Sequence, residues 1–165
     1  MKLYPSVVQH IAHNSYADPE RLCMADSRSA FSYGEVWSRI YGLSQRLQKL
    51  GVTRKRCVAV ECSQNAGYMI CEFAIQLLGG IFVPIEKNAA AGRLAEILGD
   101  TQAVLYIGKD AAKLSAALNV MQTSGKPSQH STAPGFMDIS QAADFACTPE
   151  DLPPLGEISF PEAQQ

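Results

Sequence analysis

The chain has 165 residues, is 47% hydrophobic and carries a formal net charge of -2. That length and apolar content are enough for one domain with a real core. The charge leaves no electrostatic footprint for nucleic acid or an anionic membrane, because the one basic run, Arg54-Lys55-Arg56, is short and reads as a solvated loop beside a predicted strand. The five cysteines are odd in number, lack C-x-x-C spacing and lie partly in apolar runs, which fits a reducing, cytoplasmic setting. The opening MKLYPSVVQHIAHN is broken by polar residues, and no apolar run reaches the ~18 residues of a membrane span, so neither an export signal nor a span is expected.

Val7, Val8, Ile11 and Ala12 recur at helical spacing behind Pro5 and predict a short amphipathic helix from about Tyr4 to Ala17. His10 and His13 lie one turn apart on it, but no third metal ligand accompanies them. Arg21–Ala25 and Ala30–Tyr33 flank the turn formers Asp26-Ser27-Arg28-Ser29 and read as a small hairpin. Ser32 and Glu35 have capping-box spacing, and Val36, Trp37, Ile40, Leu43, Leu47 and Leu50 follow on one stripe until Gly51 stops the helix. Cys57–Val60 is an apolar run without alternation, as expected for a strand covered on both faces. Asn65–Leu78 spreads Ala66, Met69, Ile70, Phe73, Ala74, Leu77 and Leu78 over a wide arc and predicts a largely buried crossover helix ended by Gly79-Gly80.

Ile81–Ile85 is the next strand, and Pro84 confines that position to a strand end or a sheet edge. A helix from about Ala89 to Leu98, a strand over Ala103–Ile107 and a helix capped by Asp110 that runs through Leu114, Leu118 and Met121 complete a β-α-β-α-β-α series. Such a series requires right-handed crossovers and a parallel sheet. Gln122–Gly135 reads as a polar linker, and Phe136–Ile139 as one more edge strand. Two regions are expected: an α/β subdomain over residues 1–147, and an extended tail over 148–165 that needs a neighbour to fold against.

Four of these stretches, in this order, resemble the opening of the adenylate-forming (AMP-binding) acid ligases. Ser32-Tyr33-x-Glu35-Val36 resembles the early Thr/Ser-Tyr-x-Glu-Leu motif of that family. Leu50-Gly51-Val52 with Cys57–Val60 resembles its turn and strand, Leu77–Glu86 its Leu-x-Ala-Gly-x-Tyr/Phe-Val-Pro-Leu-Asp motif, and Arg93-Leu94-x-x-Ile97-Leu98-x-Asp100 the helix that comes next. Departures are Arg54-Lys55-Arg56 in place of a Pro-Gly-Asp turn, Glu86 in place of Asp or Asn, and Ala89-Ala90-Ala91-Gly92 without the customary proline.

The resemblance implies the N-terminal subdomain of an acyl-CoA synthetase-like ligase: an α/β fold whose parallel sheet is flanked by helices on both faces, with a small hairpin near the N-terminus. The full enzyme would use ATP and Mg²⁺ to turn a carboxylic acid into an acyl-adenylate, then pass it to coenzyme A or a carrier-protein thiol. The family's Pro-Lys-Gly phosphate loop, adenine-contacting segment, ribose-binding aspartate and catalytic lysine all come later than the stretch seen here. No residue of this chain is therefore assigned a catalytic, cofactor-binding or metal role, no cofactor is expected in it, and the isolated chain is expected to be inactive. Its partner would be the remainder of the ligase.

Within the chain, Thr123-Ser124-Gly125-Lys126-Pro127 looks like a compressed phosphate loop, but it has one glycine and follows a helix, so it reads as linker. Glu61 stands near a strand end where α/β sheets place site residues, and a solvated strand end explains it equally. Tyr68 and Glu72 read as surface polar groups, and Trp37 as a core anchor. Two other classes stay open: a free-standing flavodoxin-like module for a phosphate-bearing ligand, and a non-catalytic interaction protein. Within the family, a carrier-protein-loading adenylation domain is the variant reading.

Overall fold

The computed structural model describes residues 6–123 and 133–161. Helix α1 (Val7–Ala17) opens at Ser6, whose hydroxyl accepts the Gln9 N–H at 3.2 Å, and it buries Val8, Ile11 and Ala12. The expected earlier start at Tyr4 and Pro5 lies outside the described residues. Strands β1 (Leu22–Ala25) and β2 (Ala30–Ser32) form the antiparallel hairpin. Helix α2 (Tyr33–Lys49) begins with the full capping box: Ser32 Oγ accepts the Glu35 N–H at 3.3 Å, and Glu35 Oε2 accepts the Ser32 N–H at 2.8 Å. Such a cap stabilises a helix by about 1 kcal/mol. Val36, Trp37, Ile40, Leu43 and Leu47 are fully buried. Gly51 ends the run at φ 89°, a left-handed turn that L side chains resist.

Strands β3 (Cys57–Glu61), β4 (Ile81–Ile85), β5 (Leu105–Gly108) and β6 (Gly135–Asp138) make a wholly parallel sheet in the order β4-β3-β5-β6. Helices α3 (Ala66–Leu77), α4 (Ala91–Thr101) and α5 (Ala111–Thr123) connect them. The chain steps outward from β3 to β4, then returns past β3 to lay down β5, so the strand order reverses between β3 and β5. Side-chain alternation divides the core between the two faces. Val58 and Val60 join α1, α2 and α3, while Ala59 and Tyr106 join Leu94, Leu98 and Leu114 of α4 and α5. Pro84 sits on the edge strand, opposite Val60, where its missing N–H breaks no ladder bond.

Several boundaries and exposures differ from the sequence reading. Helix α4 starts at Ala91, behind an Ala90 that offers no side-chain cap, and it runs past Leu98 to a left-handed Gln102 at φ 51°. Met69, placed by periodicity on the buried arc of α3, is exposed. Of the linker after α5, residues 124–132 lie outside the described residues, as does most of the phosphate-loop look-alike.

Residues 148–161 find their neighbour within the chain itself. Short 3₁₀ turns at Pro149–Asp151 and Leu155–Glu157 let Leu152, Leu155, Ile158 and Phe160 pack on the α1–α2 face. The Phe160 ring centre lies 6.4 Å from that of Trp37, and the Tyr16 hydroxyl donates to the Pro153 carbonyl. Their irregular spacing matches neither helix nor strand period, so this packing leaves no signal in the sequence pattern.

The approach of this segment to α2 is close. The Cys147 N–H donates to the Ser38 carbonyl at 3.2 Å, and a Cβ added at Gly42 would overlap the Phe145 carbonyl oxygen. Gly→Ala inside a helix ordinarily stabilises by about 1 kcal/mol. Here the overlap dominates, and Gly42→Ala is expected to destabilise the chain by about 1–3 kcal/mol in urea unfolding; a more stable variant would contradict this packing.

Candidate functional site at the carboxyl edge of the sheet

In open α/β sheets the crevice for ligands lies at the carboxyl ends of the strands where their order reverses. Here that point is the gap between Glu61 of β3 and Gly108 of β5. Glu61 is buried, with 6% of its surface exposed, so the structure replaces the solvated strand end with an interior carboxylate. A buried carboxylate must be paired, and two donors reach its Oε2. The Tyr106 hydroxyl donates at 2.9 Å and Lys113 Nζ at 3.2 Å. Lys113 Nζ also donates to the Lys87 carbonyl at 2.8 Å, tying α5 to the β4–α4 loop.

Gly108 makes this geometry possible. A Cβ there would stand 2.6 Å from the Tyr106 Cζ and hydroxyl oxygen, so only a glycine lets the ring lie across the strand end and reach Glu61. Burial, the hydrogen bond to Glu61, and the charges of Glu61 and Asp110 all push the Tyr106 phenol far above its ordinary range. It is a fixed donor and not a proton-transfer group.

The helix amino termini flanking the crevice are also filled from within. At α3, Asn65 Oδ1 accepts the Tyr68 N–H at 3.0 Å, and Asp26 Oδ2, from the hairpin tip, accepts the Ala66 N–H at 3.1 Å. At α5, Asp110 Oδ1 accepts the Ala112 N–H at 2.7 Å. Each carboxylate or amide stands where a phosphate oxygen would bind. Helix α4, which follows the edge strand and not the reversal point, begins without a side-chain cap.

Among the described residues no three His, Cys, Asp or Glu side chains come together as a metal site. His10 lies edge-on to Tyr33 at 6.3 Å. With Glu61 already accepting from Tyr106 and Lys113, these residues do not fit an Mg²⁺–nucleotide site. Tyr68 is not a plain surface group: its hydroxyl is 3.5 Å from Cys62 Sγ and its ring packs edge-on against Phe82 at 5.4 Å. All five cysteines are free. Burial raises the Cys23, Cys57 and Cys147 thiols and pushes Cys71 up to about 12, so these four are packed as neutral hydrophobes.

Of the sequence candidates, then, only Glu61 falls at the crevice. Tyr106 and Lys113, which complete its cluster, are residues that sequence reasoning misses. The signal was a glutamate sharing the parity of buried Ala59, which demands a buried donor on a neighbouring element.

The strand order, the two helical layers and the crevice define a doubly wound α/β domain with a self-occupied switch point. The model of the AMP-binding enzyme family matches residues 11–154, and the chain belongs to that family. Glycine betaine reductase ATRR of Emericella nidulans is 27% identical over 133 residues, 78% of this chain and 10% of that protein. The mitochondrial malonate–CoA ligase ACSF3 of Homo sapiens is 28% identical over 93 residues, 53% of this chain and 16% of the ligase. The chain thus spans a small part of the curated relatives it matches.

Among solved structures, the Klebsiella oxytoca NpsA N-terminal subdomain in complex with 3-hydroxybenzoyl-AMSN superposes with a TM-score of 0.68 at 15% identity, covering 97% of this chain and 35% of that one. VinN with L-aspartate gives 0.66 at 18%, covering 86% and 39%. At these identities the likeness is one of fold.

Two outcomes test the edge cluster. Lys113→Met, which leaves the Glu61 charge buried and unpaired, is expected to cost about 3 kcal/mol in urea unfolding. Adding Glu61→Gln, which removes that charge but keeps an acceptor for Tyr106, is expected to recover more than half of the loss. Equal, additive losses would contradict a buried charge pair.

Asp26 also accepts the Arg28 and Ser29 N–H groups at 2.8 and 2.9 Å, and its backbone hydrogen bonds to Arg28, Ala66 and Ser29 hold its carboxyl below the usual range. A lowered folded-state pKa gives stability that is present above the ordinary carboxylate pKa and lost as pH falls through the lowered one. Asp26→Asn is therefore expected to flatten that part of the acid-unfolding curve and leave the neutral-to-alkaline slope unchanged.

Proposed function

We propose that this chain is the N-terminal subdomain of an AMP-forming acid–thiol ligase of the acyl-CoA synthetase type, serving as scaffold for chemistry carried by the rest of the enzyme. The observation that carries the reading is the family match over residues 11–154, on a fold shared with adenylation N-terminal subdomains. In the full enzyme a carboxylic acid, most simply a fatty or aromatic one, attacks the α-phosphate of Mg²⁺-bound ATP, pyrophosphate leaves, and the acyl group passes to coenzyme A or a carrier-protein thiol in the cytoplasm. The subdomain's part is mechanical: a parallel sheet, locked at its carboxyl edge, against which the later segments assemble.

The strand order gives one specific observation in favour of a second reading, since β4-β3-β5-β6 is the order of a flavodoxin-type sheet. The internal occupancy of the crevice weighs against it. A phosphate at α3 would have to displace Asp26 and Asn65, and Lys113 is already neutralised by Glu61.

Acid-dependent ATP–pyrophosphate exchange separates the readings. The 165-residue chain alone is expected to give no exchange with any acid, and calorimetric titration with ATP, AMP, FMN and coenzyme A is expected to show no saturable heat. Turnover by the isolated chain would overturn the scaffold role, and tight binding of one nucleotide would favour the free-standing module.

A further inference from the structure

Between Glu35 and Glu61 the chain carries six bases and no acid. Five of them, Arg46, Lys49, Arg54, Lys55 and Arg56, gather at the amino end of the sheet, and all five are exposed. Arg46 and Lys49 stand on the last turn of α2, where the backbone folds back at once: the Gly51 N–H donates to the Gln48 carbonyl and the Val52 N–H to the Leu47 carbonyl, both at 3.0 Å. Val52 is fully buried and pins the connection. The turn that carries the other three is fixed by the Lys55 N–H on the Gly79 carbonyl at 2.8 Å and the Arg56 N–H on the Thr53 carbonyl at 3.1 Å. Among the described residues no acid lies within ion-pair distance of any of the five, Asp144, Glu150, Asp151 and Glu157 of the closing segment included. Glu72, which lines the same cleft as Arg54, accepts instead from Gln76 Nε2 at 3.1 Å.

Lys55 makes this clustering costly. Its φ of 63° lies in the left-handed region, where the Cβ of an L-residue crowds the following carbonyl and glycine would sit freely. A left-handed lysine between two arginines opposes folding through both its backbone and its charge. Strain of that kind, held in place by surrounding hydrogen bonds, marks a position kept for something other than stability.

We propose that this basic end of the sheet is a docking surface for an acidic segment of another polypeptide. Bases of a single-stranded nucleic acid would need flat rings to stack on, and residues 42–56 contain none. With the five cations set aside, the rest of the chain is net negative. An extended anionic surface, a bilayer or a duplex, therefore meets repulsion on either side of the patch, whereas a short run of Asp or Glu meets only the cations. Three of the five are arginines, whose planar forks bind carboxylates through paired N–H···O bonds. The surface lies at the opposite end of the strands from the Glu61 cluster, so it stands independently of the adenylation reading.

Fluorescence anisotropy of fluorescein-labelled octaglutamate titrated with the 165-residue chain is expected to show saturable binding at low salt that weakens as NaCl is added. Arg54→Glu combined with Arg56→Glu is expected to weaken it by about tenfold or more with an unchanged circular dichroism spectrum. The same reversals at Lys87 and Lys109, exposed at the carboxyl end of the sheet, are expected to change it by less than about twofold. Lys55→Gly is expected to raise the urea midpoint and yet weaken binding by about threefold, which separates the loss of a contact from a loss of folding. Absence of octaglutamate binding, equal losses from the two pairs of reversals, a Lys55→Gly chain that binds as tightly as the parent, or tighter binding of octathymidylate or phosphatidylglycerol vesicles would each overturn the proposal.

Discussion

The Glu61 carboxylate is the point at which four segments of this chain are tied. A charge that far from water persists only with donors in place, and Tyr106 from the neighbouring strand and Lys113 from the following helix supply them. Lys113 extends the tie to the Lys87 carbonyl, so β3, β5, α5 and the β4–α4 loop share one set of polar contacts. Their common location is the carboxyl edge between β3 and β5, the place where a doubly wound sheet would otherwise leave a crevice open. Gly108 is part of the same arrangement, since any side chain there would push the Tyr106 ring off Glu61.

The same economy appears at the helix ends. Asp26 reaches 40 residues along the chain to hold the first N–H of α3, joining the hairpin to the sheet layer, while Asn65 and Asp110 cap locally. In a nucleotide-binding module the corresponding N–H groups are left for phosphate. Here the chain's own oxygens use them, so the edge is held in place by contacts within the chain. The 144–161 segment does the same for the opposite face: Phe160 on Trp37 and the Gly42 contact close the α1–α2 layer.

Much of this fold was legible in the residues. The Ser32–Glu35 box, the Val36-to-Leu47 stripe and Gly51 define α2 almost to the residue, and Ile81–Ile85 with its edge proline is found as read. These are local signals, set by capping, periodicity and backbone dihedrals. What was not legible is what depends on distant partners. Met69 has the helical spacing of a core residue, yet 38% of its surface stays exposed. Glu61 looked solvated because its donors lie 45 and 52 residues away, and the 148–161 segment looked extended because its anchors follow no regular period. The family likeness was legible because its motifs are themselves local. The occupied crevice was not.

The most direct test of a self-occupied edge is amide NMR of the ¹⁵N-labelled chain titrated with inorganic phosphate and with AMP. The account predicts that the Ala66, Tyr68 and Ala112 resonances stay in place through the titration. Saturable movement of those amides, with loss of the Asp26 or Asp110 contact, would show that the crevice receives an anion and that the scaffold reading is wrong.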